Sequence, residues 1–319
     1  MSDQVKEIVK KFLPTLSLSE YGQVYTDTTE YMKISYGDII KLKGQHYLVL
    51  RDEAERSFGV EDPKYWVKRC IHLESGKRKI LKLVFYEKFL LKLGDLKIPC
   101  YRSPKKEARI LELVKGDSRF MQGESVHDEK GNIVRVIDVI SGKRLDHKVF
   151  ELPKGHKEYF FTDFPKILKK FIEACLAIKF LHDNGEIHGD IRRDHLWIQY
   201  KKEPYVWIDF DYTYDFEESP FGLDIFGLGS LLTFLAGKQI YTTTNIDHYF
   251  PDNNITIEQG DLSLLYKNRI VNLKKLFPYI PDSLNFVLLH FCQESEVFYD
   301  TVDEFLEDVN KALDDIIKG

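Results

Sequence analysis

The 319-residue chain is 43% hydrophobic and 30% charged, with 46 basic side chains against 51 acidic ones and a net charge of −5. This composition belongs to a globular protein with a sizeable core, and its mildly acidic balance argues against a nucleic-acid or anionic-membrane partner, since both select for basic patches. Cys70, Cys100, Cys175 and Cys292 show no CxxC spacing; this disfavours a zinc knot or redox pair and points to a reducing, cytoplasmic setting.

The N-terminal stretch MSDQVKEIVKKFLP mixes charge through its length and lacks the apolar core of a signal peptide. Val5, Ile8, Val9, Phe12 and Leu13 recur at helical spacing and Pro14 closes the segment, so a short amphipathic helix is expected there. From Asp38 the period changes. The runs 39–42, 47–50, 66–71 and 80–85 are short and β-rich, separated by turns at Lys43, Gly44, Ser75 and Gly76, which predicts an antiparallel meander. Ser103 followed by Pro104 reads as an N-cap and first helical residue, with Ile110, Leu111 and Val114 continuing the helix. Two more strands are expected over 120–126 and 133–140, and Gly142 marks a break. Beyond it the pattern turns helical, with helices predicted over 164–182, 223–235, 281–291 and 302–317 and short β-like pieces between 183 and 222. Residues 252–254 read as a surface loop. No apolar run approaches the roughly 20 residues that span a bilayer. The expected fold is α+β and bilobal: an antiparallel sheet with one key helix, then a mostly helical half, joined by a hinge near Val139 to Gly142. Ligands favour the cleft between two such lobes.

The run 187–195, IHGDIRRDH, resembles the catalytic loop H-x-D-x-x-x-x-N of protein kinases. Asp209-Phe210-Asp211 resembles the metal-binding D-F-G, and the stretch from Leu223 through Asp224 to Gly229 resembles the motif that opens the central helix of the kinase C-lobe. Upstream, the segment ending Lys79-Ile80-Leu81-Lys82 is similar to the strand carrying the V-A-I-K lysine, and 136–142 resembles the kinase hinge. The five matches occur in the family's order and cover the chain from about residue 38 onward. The chain looks most like bacterial serine/threonine-protein-kinase-like proteins. A helical extension is expected over 1–37, and the resemblance implies an N-lobe over 38–140 and a C-lobe over 141–319.

Phosphoryl transfer needs charge neutralisation, in-line positioning and an acceptor for the hydroxyl proton, with little covalent help from the protein. The resemblance implies that Asp190 takes or orients the acceptor hydroxyl, that Lys82 grips the α- and β-phosphates, and that a helical carboxylate fixes Lys82. Glu107 fits best for this carboxylate, with Glu112 as its rival. Arg192 stands for a lysine that often follows the catalytic aspartate and would neutralise the moving phosphoryl group. Asp209 would hold Mg²⁺, and the backbones of Asp138 and Ile140 would meet the adenine of ATP, with Val67, Ile80 and Trp197 lining the pocket. Asp224 reads as a structural cap and His188 as a brace for the loop.

Several positions depart from the family pattern. The place of the glycine-rich loop is taken by 58–67, which holds the single glycine Gly59; close approach of backbone N–H groups to phosphate favours glycine. His195 stands where kinases have the second metal-binding asparagine, and imidazole suits Mn²⁺ or softer metals better than Mg²⁺; a histidine bonded to backbone explains it equally. Asp211 replaces the glycine of D-F-G and either adds a metal ligand or pairs with Arg192 or Arg193, the pairing being the favoured expectation. Ile80 and Trp197 are bulky for an adenine pocket. The segment from Asp209 to Asp224 is short and has no A-P-E, and Gly189 removes the arginine of H-R-D. The H-G-D form resembles aminoglycoside- and choline-type kinases.

Three functions follow: an ATP-dependent serine/threonine-kinase-like phosphotransferase using Mg²⁺ or Mn²⁺, a pseudokinase acting as a nucleotide-sensing or scaffolding module, and a small-molecule kinase. The expected partner is a protein or small-molecule hydroxyl acceptor, with no nucleic acid and no membrane.

Overall fold

The computed structural model describes residues 3–12, 22–57, 60–200, 205–251 and 255–318. Leu13, Pro14, Phe58, Gly59 and residues 252–254, where a surface loop is expected, lie outside them. The chain divides into two compact units: Met1–Glu87 with Arg102–Ile140, and Lys88–Tyr101 with Ser141–Gly319.

The first unit begins with helix α1 (Asp3–Phe12), whose Val9 packs with Ile39, Leu48 and Leu73 on one face of a sheet. Strands β1 (Val24–Tyr25), β2 (Ile39–Leu42), β3 (Gln45–Ser57), β4 (Val60–His72) and β5 (Arg78–Lys82) follow. Strands β2 to β5 form the expected meander, with two register shifts in the long β3–β4 pair. Skipping a hairpin, helix α2 (Pro104–Leu113) and strands β8 (Gly123–His127) and β9 (Ile133–Asp138) complete the seven-stranded order β1-β2-β3-β4-β5-β9-β8. The core of Ile40, Leu42, Val49, Cys70, Leu81, Val126, Val134 and Val136 is what period-2 strands bury on one face. Ser103 caps α2 as expected, its hydroxyl accepting the Lys106 N–H at 3.2 Å.

Three details of this unit differ from the sequence expectation. Residues 22–37 are not a helical extension, because β1 pairs in parallel with β2. Strand β5 stops at Lys82, and Phe85 turns to stack on Trp66, centroids 3.9 Å apart. β8 starts at Gly123 instead of 120, the preceding Phe120 being buried in the core.

The skipped hairpin, β6 (Lys88–Leu93) and β7 (Leu96–Arg102), was expected in neither form nor place. It groups with the second unit because β7 pairs with β13 (Tyr212–Tyr214), giving the order β13-β7-β6. A second small sheet joins β10 (Gly142–Arg144), β11 (Leu196–Gln199) and β12 (Tyr205–Trp207). Gly142 therefore opens a strand as well as ending the preceding segment.

The remaining elements are helical: α3 (Leu145–Phe150), α4 (His156–Thr162), α5 (Phe164–Asp183), α6 (Gly222–Gly237), α7 (Ile246–Tyr249), α8 (Leu273–Leu276), α9 (Asp282–Leu289) and α10 (Val302–Lys318). α6 is apolar all round and almost wholly buried, as such a helix must be. The amphipathic α10 lays Phe305, Val309 and Ala312 into the core. No helix among the described residues is long and apolar enough to cross a membrane, and all four cysteines are buried free thiols.

Candidate active site

The side chains singled out by sequence fall into two groups, one in each unit. In the first, β5 ends on Lys82 and α2 presents Glu107 in its first turn. Lys82 Nζ donates to Glu107 Oε1 at 2.7 Å, and both side chains are buried. Glu112, the rival carboxylate, is exposed and faces Lys115 at 3.5 Å. Glu107 also meets a residue the sequence reading missed: Arg135 of β9, whose Nε donates to Glu107 Oε2 at 3.0 Å. The only sequence signal for Arg135 is a charge inside the otherwise apolar run of β9, and a buried charge must find a partner.

Val67 lies opposite Lys82 in the β4–β5 pair and is buried; Ile80, half-buried, lies opposite Ile137. Asp138 is exposed. Its side chain holds Lys79 Nζ at 2.5 Å, and its N–H is spent on the Gln122 carbonyl at 2.9 Å, so that N–H is not available to an adenine edge. Ile140 is half-buried just past β9.

In the second unit the 187–195 loop is organised by α6. Asp224, in the first turn of α6, accepts the N–H of His188 at 2.7 Å and of Gly189 at 2.8 Å, and its Oδ2 lies 3.0 Å from His182 Nε2. The expectation of a cap is thus corrected in one respect: Asp224 caps the loop, not its own helix, whose N-cap is Phe221. Gly189 has φ +83, the left-handed region that a side chain disfavours, which explains glycine in H-G-D. At Gly227 a Cβ would come within 2.6 Å of Ile191 Cβ, so only glycine lets α6 approach the loop this closely. His188 is fully buried and its Nδ1 accepts the Asp190 N–H at 3.3 Å, bracing the loop as expected.

Around Asp190 charged groups converge. Arg192 Nε lies 3.6 Å from Asp190 Oδ1, and Arg192 Nη2 lies 3.2 Å from Asp194 Oδ2. Burial pushes the Asp190 carboxyl above the usual carboxylate range; His195 and Arg192 pull it back, while Asp211 and Asp209 add repulsion. For Asp194, burial also acts upward, but His195, Arg192 and Arg144 outweigh it and hold the carboxyl below its ordinary value. His195 Nδ1 donates to the Asp190 carbonyl at 2.8 Å, Arg192 Nη2 donates to His195 Nε2 at 2.9 Å, and that Nε2 lies 3.7 Å from Asp209 Oδ2. Asp209 has φ +59, a strained backbone for a non-glycine residue of the kind that collects at functional sites. Phe210 behind it is fully buried, edge-on to His188 at 6.1 Å.

Arg193 Nε lies 3.6 Å from Asp146 Oδ2, and Asp211 is buried. Trp197 is held on β11 by its indole N–H, which donates to the Asp194 carbonyl at 3.1 Å. Asp190, Arg192, Asp194, His195 and Asp209 thus gather in one unit; Lys82, Glu107, Val67, Ile80, Asp138 and Ile140 belong to the other.

A lysine at the end of the fourth strand of an antiparallel meander, paired to the carboxylate of the helix inserted before the last two strands of that sheet, and an H-G-D loop clamped by the aspartate of a buried helix occur here in kinase order. The fold is kinase-like. No protein-family model matches the chain. The putative ribosomal protein S6 kinase alpha-2 of Caenorhabditis elegans is 24% identical over 130 residues, 41% of this chain but only 14% of that protein's length. The PknI kinase domain of Mycobacterium tuberculosis aligns with a TM-score of 0.47 at 13% identity, over 85% of this chain and 97% of that domain. A single-mutant form of the same domain gives 0.46 at 12%, over 83% and 95%.

Proposed function

We propose that the chain is an ATP-dependent phosphotransferase of serine/threonine-protein-kinase type, moving the γ-phosphoryl group of ATP onto a hydroxyl acceptor. The observation that carries this reading is the buried Lys82–Glu107 pair at 2.7 Å. A lysine held in this way keeps its charge and its direction, which is what gripping phosphate oxygens requires.

A divalent metal fits the residues present in one respect. Asp209 offers a hard carboxylate on a strained turn, and Mg²⁺ is commonly held by one or two carboxylates together with substrate phosphates. Among the described residues no cluster of three or more His, Cys, Asp or Glu forms an all-protein cage. Asp209 would hold the ion, with His195 Nε2 as the second position. The ion would neutralise charge on the phosphate oxygens.

In the proposed reaction Asp190 accepts the hydroxyl proton as the acceptor oxygen bonds to the γ-phosphorus. The bond from that phosphorus to the bridging oxygen breaks, and its electron pair leaves with ADP. The raised basicity of Asp190 suits a proton acceptor. Arg192 supplies positive charge close to Asp190. Residues 212–214, taken up as β13 beside β7, favour a compact hydroxyl acceptor over an extended peptide laid along this segment.

A second reading, a nucleotide-binding module without turnover, is favoured by His195, whose Nε2 is engaged by Arg192 at the second metal position. ADP release by the purified full chain, with Mg²⁺ and then with Mn²⁺, beside an Asp190→Ala control, tests the two. Turnover present in the chain and lost in the control supports the phosphotransferase. No turnover with either metal, or equal turnover in the control, overturns it. Metal-dependent thermal stabilisation by ATP without turnover would support the module.

A further inference from the structure

Arg135 is the one fully buried arginine among the described residues, and the phosphoryl-transfer reading gives it no task. In the β5–β9 pair it stands directly opposite Lys82. Two like charges facing one another across a ladder repel, so this pair persists only with a carboxylate between them. Glu107 supplies it, taking Lys82 Nζ on Oε1 at 2.7 Å and Arg135 Nε on Oε2 at 3.0 Å.

The rest of the guanidinium is also engaged. Nη1 donates to the Ile133 carbonyl at 2.9 Å, and Nη2 donates to the Leu83 carbonyl at 3.2 Å. Leu83 follows Lys82 directly in the chain. The planar fork therefore joins three things at fixed angles: the carboxylate on α2, the backbone just past Lys82, and its own strand.

We propose that Arg135 is a positioning residue: it holds Glu107, and through it Lys82, in the phosphate-gripping arrangement before any nucleotide arrives, so that α2 stays docked on its sheet without a ligand. Its consequence for nucleotide binding rests on the proposed function. A lysine paired only to a mobile glutamate is oriented at the moment of binding, and that ordering is charged against affinity. With Arg135 in place Glu107 has one position, and its oxygens are already divided between the two cations.

Arg135→Met, Glu107→Gln and the double variant test this in the full chain. The readouts are amide exchange along α2 without nucleotide, and calorimetric affinities for ATP, ADP and adenosine. In Arg135→Met, residues 104–113 are expected to exchange roughly ten-fold faster while β2 and β3 are unchanged. ATP and ADP should bind roughly ten-fold more weakly and adenosine equally well. The double variant should bind ATP no worse than Glu107→Gln alone, because Arg135 acts through Glu107. Unchanged exchange in α2, an equal loss for adenosine, or additive losses in the double variant would each overturn the proposal. If the wild-type chain binds none of the three ligands, the proposed function falls, and the exchange measurement still decides whether Arg135 tethers α2. Should Arg135→Met not fold, Arg135→Lys keeps the charge without the fork; smaller shifts in the same direction are expected, and wild-type exchange in α2 would count against the tether.

Discussion

Gly189 donates its N–H to Oδ1 of Asp224 at 2.8 Å, joining residues 35 apart in sequence. The same carboxylate takes the His188 N–H and faces His182, so three groups at the base of the loop depend on it. Asp224→Ala should cost about 3–5 kcal/mol of unfolding free energy, the usual loss when a buried charged partner is removed. Asp224→Asn, which keeps one acceptor oxygen, should cost less. Urea unfolding measures both, and a loss under about 1 kcal/mol for the alanine variant would contradict this role.

Asp190→Asn removes the proton acceptor and leaves the size of the side chain. The turnover number should fall about 10²- to 10⁴-fold with little change in the KM for ATP. Initial rates against ATP concentration separate the two, and a rise in KM at constant kcat would assign Asp190 to binding instead.

Lys82→Met should leave the first unit folded, because Glu107 keeps Arg135 as its partner. The loss should appear in nucleotide affinity, about ten-fold or more for ATP, with adenosine unaffected. Melting temperature and calorimetry together check this; a chain that unfolds would show that Lys82, not Arg135, secures Glu107.

His195→Asn restores an oxygen ligand at the second metal position. Activity with Mg²⁺ should rise relative to activity with Mn²⁺, since hard Mg²⁺ prefers oxygen donors. The ratio of initial rates with the two metals is the readout, and an unchanged ratio would show that His195 serves the loop backbone alone.

His156 gives a pH prediction independent of activity. It stacks on Phe277 with centroids 3.5 Å apart, its Nε2 donates to the Ala236 carbonyl at 2.8 Å, and its Nδ1 accepts from the Tyr279 hydroxyl at 2.6 Å. Burial lowers its pKa to about 4, with the Lys238 charge adding to this and the Ala236 bond opposing it. Between about 4 and the ordinary value near 6.5 the unfolded chain binds the proton and the folded chain does not. Stability therefore falls as pH drops through this window, by about 3 kcal/mol in all. Denaturation at pH 7 and pH 4.5, compared with His156→Gln, should show a shallower pH dependence in the variant; equal slopes would contradict the assignment.

The helices and most strands of the chain were legible because their evidence is local. The 3.6-residue period of 164–182, the Ser103-Pro104 cap and the alternation along the meander each lie within a few residues. The Gly94-Asp95 pair between two apolar runs was an equally local hairpin signal. The run Lys88-Phe89-Leu90-Leu91-Lys92-Leu93 beside it does not alternate, and Phe89 and Leu90 remain exposed in the folded chain. The site residues were legible to different degrees. Lys82, Glu107, Asp190 and Asp209 were named from motif order. The engagement of the Asp138 N–H with the Gln122 carbonyl and the pairing of Glu107 with Arg135 were not.

Amino-acid order alone determined the two-part α+β plan, the kinase-like succession of Lys82, Asp190 and Asp209, and the glycines at 189 and 227, because residue type and short spacing specify them. Only the tertiary structure decided that Arg135 faces Lys82 across the ladder, that Asp224 clamps the H-G-D loop instead of its own helix, and that β6 and β7 join β13. Each depends on which distant segments become neighbours, and in a sheet where β5 lies beside β9, that neighbour is chosen by burial of the whole apolar face and not by anything near it in sequence.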